Sequence, residues 1–117
     1  MDFATICRFN LPCTVIVFNN GGIYNGIGVN PAKKGEAGYG DPAPTTLDIN
    51  ARYEKIGEAF GAKGYYVTTP EELTKALNEA IESGKPNFIN VQLADNSGVE
   101  SGHIGYLNPA TLQPFTV

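Results

Sequence analysis

"TVIVFNNGGIYNGIG", Thr14 to Gly28, decides how this chain is read. Thr14 to Phe18 is apolar and β-branched without alternation, the pattern of a strand buried on both faces. The strand stops at Asn19-Asn20-Gly21-Gly22. A simple turn accounts for these residues, because Asn and Gly both tolerate positive φ. A chemical reading stands beside it. Function in parallel sheets collects at the carboxyl ends of the strands. An Asn side chain offers a neutral oxygen there, and glycine exposes its carbonyl. Hard cations such as Mg2+ take oxygen ligands and share them with phosphates. Two nucleotide motifs are set aside. A P-loop needs Gly-Lys-Ser/Thr, but Ile27 follows Gly26, and no helix opens here as a dinucleotide fingerprint requires.

Upstream, Phe3, Ile6 and Cys7 have helical spacing until Pro12 stops it. Downstream, Gly21 to about Asp48 shows no sustained period and reads as a long Gly/Pro-rich loop. Ile49, Tyr53, Ile56 and Phe60 then mark one apolar face of a helix that Gly61 ends. Tyr65 to Thr68 reads as a second strand. Thr69-Pro70-Glu71-Glu72 is a helix start, with Thr69 as cap, Pro70 in the first turn and Glu72 closing a capping box. Leu73, Ala76, Leu77, Ala80 and Ile81 form the expected buried stripe, and Gly84 ends it. Phe88 to Leu93 reads as a third strand, and residues 94–117 as a polar, Gly-rich tail.

This alternation predicts an α/β fold, three-layer α-β-α with a mostly parallel sheet. The 117 residues suffice for one domain, but three strands with apolar edges make a thin sheet. The chain is therefore expected to be part of something larger. Its formal charge of −4 argues against a general nucleic-acid surface. No apolar run approaches the length of a membrane span, no signal peptide is evident, and the C-terminus carries no peroxisomal signal. Cys7 and Cys13 form no CxxC and join no Cys/His cluster, so reduced, packed thiols and a cytoplasmic location are expected, with a peroxisomal one as the alternative.

"TICRFNLPCTVIVFNNGGIYNG" resembles the second half of the thiamine-diphosphate-binding motif, which Gly-Asp-Gly opens and Asn-Asn closes. "EAFGAKGYYVTTPEELTKALNEAIESGKPNFINVQL" looks like the helix–strand–helix–strand that follows in that domain. "GVESGHIGYLN" is similar to the tail of oxalyl-CoA decarboxylases and related 2-hydroxyacyl-CoA lyases. The resemblance covers nearly the whole chain. It implies that residues 1–117 are a partial C-terminal thiamine-diphosphate-binding domain with 94–117 as its tail. The implied cofactors are thiamine diphosphate and Mg2+. Asn20 would give the metal its side-chain oxygen and Gly22 its carbonyl, while Asn19 holds the turn. Asn20, Gly21, Gly22, Ile23 and Tyr24 would line the cofactor. Tyr24 would lie over the cofactor or acyl group, and Ser101 matches a tail hydroxyl that faces the reacting centre. His103 falls where many relatives have arginine, which puts an anion contact there in doubt.

The family's Gly-Asp-Gly belongs upstream of Met1, and its activating glutamate to the N-terminal domain, usually of the other subunit. Glu71, Glu72 and Glu100 do not fit that role. The implied partners are an acyl-CoA substrate, the N-terminal and central domains of the same enzyme, and further copies in a dimer or tetramer. Nucleic acid and membrane are not among them. The implied activity is oxalyl-CoA decarboxylation. A 2-hydroxyacyl-CoA lyase, an acetolactate-synthase-like enzyme and an inactive truncated fragment are the alternatives. The isolated chain is expected to be inactive, and its tail to order only against a ligand or the missing domains.

Overall fold

The computed structural model describes residues 2–23 and 33–94. Six elements follow in chain order: α1 (Asp2–Arg8), β1 (Thr14–Asn19), α2 (Glu54–Ala59), β2 (Lys63–Val67), α3 (Pro70–Ser83) and β3 (Asn87–Gln92). The strands form one parallel sheet in the order β1-β3-β2. The last strand is central because the two helical crossovers lie on opposite faces. A right-handed crossover over one face steps the chain along the sheet, and one over the other face steps it back.

Along β3 the two faces alternate. Ile89 and Val91 join Val67, Ala76 and Ala80 in the main core, with Ile16, Tyr65, Leu73, Leu77 and Leu93 packed around them. Ala76 and Ala80 are small, which lets α3 lie close to the sheet. On the opposite face, the Phe88 ring meets Phe3 of α1 edge-on, with centroids 5.1 Å apart. Gly57 of α2 presses on the same ring, since a Cβ built there would come within 2.4 Å of Phe88 Cβ. Helices thus cover both faces, and the expected three-layer α-β-α arrangement is present.

The caps of α3 follow the sequence with one adjustment. The Glu72 N–H donates to Thr69 Oγ1 at 3.2 Å. The Glu72 carboxylate, however, accepts from the N–H of Thr68 at 2.8 Å, one residue before the cap. Gly84 ends the helix in the left-handed region, with φ of 59°. The second and third strands begin earlier than expected, at Lys63 and Asn87, and each ends one residue earlier.

Four expectations of burial fail. β1, expected to be buried on both faces, is an edge strand of the described sheet, with Thr14 to Val17 half-buried and Phe18 61% exposed. Cys13, expected to pack, is exposed, and Cys7 is only half-buried. Ile81 is 73% exposed. It lies at the margin of a stripe centred on Ala76 and Ala80, beyond the reach of the sheet. The helix expected from Ile49 to Phe60 is shorter and presents a different face. Its buried residues are Glu54 and Gly57, while Ile56 and Phe60 are 40% and 38% exposed. The reason is the close approach over Phe88, which admits no larger side chain at position 57. No helix among the described residues is long and apolar enough to cross a membrane.

Candidate functional site

The site begins where β1 runs out. Successive strand side chains face opposite sides, and Asn19 is the one that turns inward, with 5% of its surface exposed. Its amide donates to the Ile49 carbonyl at 2.9 Å, and its Oδ1 accepts from the Gly21 N–H at 3.0 Å. Its own carbonyl takes the Leu93 N–H at 2.8 Å, just beyond β3. Asn19 is thereby committed to the architecture of the turn.

Asn20 makes the next turn of the same kind. Its Oδ1 accepts from the Gly22 N–H at 3.2 Å, which keeps the Asn20 side chain and the Gly22 peptide on one small loop. Such local side-chain bonds are how Asn builds a turn. Gly21 between them is buried and has φ of 80°, a conformation that suits glycine.

A second segment forms the other wall. Gly22 and Thr46 make an antiparallel bridge. Its two bonds run from the Ile23 N–H to the Thr45 carbonyl at 2.8 Å and from the Leu47 N–H to the Gly21 carbonyl at 2.7 Å. Gly22 is thus the non-hydrogen-bonded member of the ladder, and its own carbonyl is directed away from Thr46. Leu47 occupies the neighbouring Gly21 carbonyl.

Beneath the turn, on the face of the sheet that Asn19 shares, lies a buried polar group. Asn90, paired with Val17 in the sheet, is fully buried. Its amide donates to the Glu54 carboxylate at 2.9 Å and to the Ala51 carbonyl at 3.1 Å. Asn90 Oδ1 is buried without a partner. Glu54, 2% exposed, also binds the Arg52 guanidinium, which stacks 4.1 Å from the Tyr66 ring centroid. Burial works to raise the Glu54 pKa. Hydrogen bonds from Asn90, the backbone and Arg52, with the Arg52 charge, outweigh it and hold the carboxyl below the ordinary glutamate value. This network ties the segment before α2, including Ala51, to the sheet.

Among the residues singled out from sequence, Asn20, Gly21, Gly22 and Ile23 come together on one loop, with Ile23 exposed. Tyr24, Ser101, His103 and the tail from 95 onward lie outside the described residues. Sequence reading missed Thr45, Leu47 and Ile49, which act through backbone atoms and so leave no side-chain signal. It also missed Asn90 and Glu54. Asn90 did carry a signal, as a polar residue inside the apolar run "FINV".

The donor set is chemically specific. Among the described residues there is no group of three or more His, Cys, Asp or Glu able to hold a metal. The loop instead presents a neutral amide oxygen and a backbone carbonyl, ligands that fit Mg2+ shared with phosphate oxygens. A parallel three-layer sheet with such a loop at a strand's carboxyl end defines a cofactor-binding α/β unit. The chain belongs to the family described as thiamine pyrophosphate enzyme, C-terminal TPP binding domain, which it matches over residues 1–91.

It is 51% identical over 109 residues to oxalyl-CoA decarboxylase of Escherichia coli (strain K12), covering 93% of this chain and 18% of that protein. It is 44% identical over 108 residues to 2-hydroxyacyl-CoA lyase of Arabidopsis thaliana, covering 92% of this chain and 19% of that protein. It is 41% identical over 97 residues to 2-hydroxyacyl-CoA lyase 1 of Homo sapiens, covering 80% and 17%. The chain therefore spans less than a fifth of the length of these relatives.

Proposed function

We propose that this chain is the C-terminal cofactor-binding part of a thiamine-diphosphate- and Mg2+-dependent acyl-CoA carbon–carbon lyase. Oxalyl-CoA decarboxylation to formyl-CoA and carbon dioxide is the leading reaction. The observation that carries the reading is the double Asn turn, which puts Asn20 Oδ1 and the Gly22 peptide on one loop, set in a sequence half identical to an oxalyl-CoA decarboxylase. Bound thiamine diphosphate supplies an electron sink for the carbon–carbon bond that breaks. Asn20 and Gly22 hold Mg2+ against the diphosphate, and Gly21 and Ile23 line it. Asn19 keeps the loop in shape. On the strength of the family resemblance, Tyr24 is assigned to the cofactor or the acyl group and Ser101 to the reacting centre, both as catalytic residues.

The second reading is 2-hydroxyacyl-CoA lyase, which cleaves its substrate to an aldehyde and formyl-CoA; the 44% identity to the plant enzyme favours it. Residues near the metal serve both reactions alike. In either case the rest of the site comes from N-terminal and central domains and from a partner subunit in a homodimer or tetramer. Residence in the cytoplasm belongs to the same proposal, supported by the two free cysteines, Cys13 among them exposed.

A chimera tests the proposal. The chain replaces the matched region of the Escherichia coli decarboxylase, and product is assayed with oxalyl-CoA and with a 2-hydroxyacyl-CoA. Formyl-CoA from oxalyl-CoA, lost on Asn20→Ala, is the expected result. Aldehyde release alone would favour the lyase. A well-folded chimera with neither activity would refute both. The isolated chain should give only background turnover.

A further inference from the structure

The segment Thr45–Ile49 lies outside the sheet, yet it makes two bonds onto the loop that follows β1 and a third with Asn19, the last residue of that strand. Leu47 N–H donates to the Gly21 carbonyl at 2.7 Å, and the Thr45 carbonyl accepts from the Ile23 N–H at 2.8 Å. The Ile49 carbonyl accepts from the Asn19 amide at 2.9 Å. We infer that this segment is a positioning clamp for the cofactor loop, with the Leu47 backbone N–H selecting which glycine carbonyl is presented. The inference rests on the assignment of Asn20 and Gly22 as Mg2+ ligands.

The physical case is one of competing carbonyls. Gly21 and Gly22 both lack side chains, so neither carbonyl is screened by one. A peptide flip at such a pair is easy, because glycine populates both signs of φ. The Leu47 bond on the Gly21 oxygen, with the Asn20 Oδ1 bond on the Gly22 N–H of the same peptide, restricts that freedom from both sides. The ladder then fixes the Gly22 peptide with its carbonyl facing away from Thr46. Leu47 acts through its backbone, since its side chain is substantially exposed. The clamp is itself held. Asn19 grips Ile49 from the strand, and Asn90 grips Ala51 from beneath. A chain of hydrogen bonds thus runs from the Asn90 and Asn19 side chains of the sheet, through residues 51 to 45, to the cofactor loop.

Two substitutions separate the backbone from the side chain. Leu47→Pro deletes the N–H, and its demand for an extended preceding residue is already met by the bridge at Thr46. Leu47→Ala keeps the N–H and removes the side chain. In the 117-residue chain, amide exchange at Gly22 and Ile23 should rise roughly tenfold in Leu47→Pro and stay at the wild-type rate in Leu47→Ala, with β3 amides unchanged in both as the check on folding. In the chimera that carries this chain within the Escherichia coli decarboxylase, calorimetric titration with Mg2+ and thiamine diphosphate should show affinity falling roughly three- to tenfold in Leu47→Pro only, the loss expected for one hydrogen bond.

Wild-type exchange at Gly22 and Ile23 in Leu47→Pro would overturn the clamp. So would equal affinity losses in the two variants. Failure of the chimera carrying the wild-type chain to bind Mg2+ and thiamine diphosphate would count against the Asn20–Gly22 assignment, and the exchange comparison, which needs no ligand, would still decide the clamp.

Discussion

Replacing Gly57 with alanine sets two known effects against each other. In a helix interior, alanine is favoured over glycine by about 0.8–1.0 kcal/mol. Against this, the new Cβ would lie 2.4 Å from Phe88 Cβ and 3.1 Å from its Cγ. Non-bonded carbons prefer roughly 3.5–4.0 Å, so α2 and β3 must part by about an ångström. Phe88 cannot swing clear, because the clashing Cβ is fixed to the backbone and the ring is held against Phe3. Overpacking of this kind costs about 1–3 kcal/mol. Displacing α2 also strains the 2.9 Å bond between Asn90 and Glu54, another 1 kcal/mol or so. The clash wins, with a net loss of about 1–3 kcal/mol after the propensity gain is subtracted. Urea denaturation should show a lower midpoint with an unchanged slope, and the melting temperature should fall by about 4–8 °C per kcal/mol. Equal or greater stability in Gly57→Ala would refute the close packing of α2 on Phe88.

Glu54 should make stability depend on acid. Its folded-state pKa is lowered, so its contribution is fully present above the ordinary carboxylate value and is lost as pH falls through the lower folded value. Glu54→Gln should flatten the decline in stability between about pH 5 and pH 3, measured by urea midpoints. The same slope in both proteins would count against the buried pair. The two asparagines should separate by phenotype: Asn19→Ala costs about 1–3 kcal/mol of stability through buried, unpaired partners, whereas Asn20→Ala, in the full-length chimera, chiefly weakens Mg2+ and thiamine diphosphate binding in titration. Thr69→Ala should lower stability by about 1 kcal/mol through loss of the α3 cap, with hydrogen exchange rising first in the opening turn of that helix.

Local rules made much of this molecule readable from its residues. The apolar run of β1 and its abrupt end at Asn19, the Thr69 cap and the Gly84 stop each depend on neighbours within a few positions. Strand alternation sends the Asn19 and Asn20 side chains to opposite sides, and the structure turns Asn19 inward; which of the two serves a metal is the proposal that the family resemblance supplies. The α2 face was not readable. Apolar spacing pointed to Ile56 and Phe60, but burial there is decided by what β3 places opposite, Phe88 against Gly57 and Asn90 against Glu54. The second wall of the loop after β1 was equally hidden. Thr45 and Leu47 bind through peptide groups that every residue possesses, so their role exists only once the long connection folds back beside Gly21 and Gly22. Hydrogen bonding between neighbours writes itself into residue type. Contact between distant backbones does not, and that is why the sequence alone showed the loop and only the tertiary structure showed what holds it.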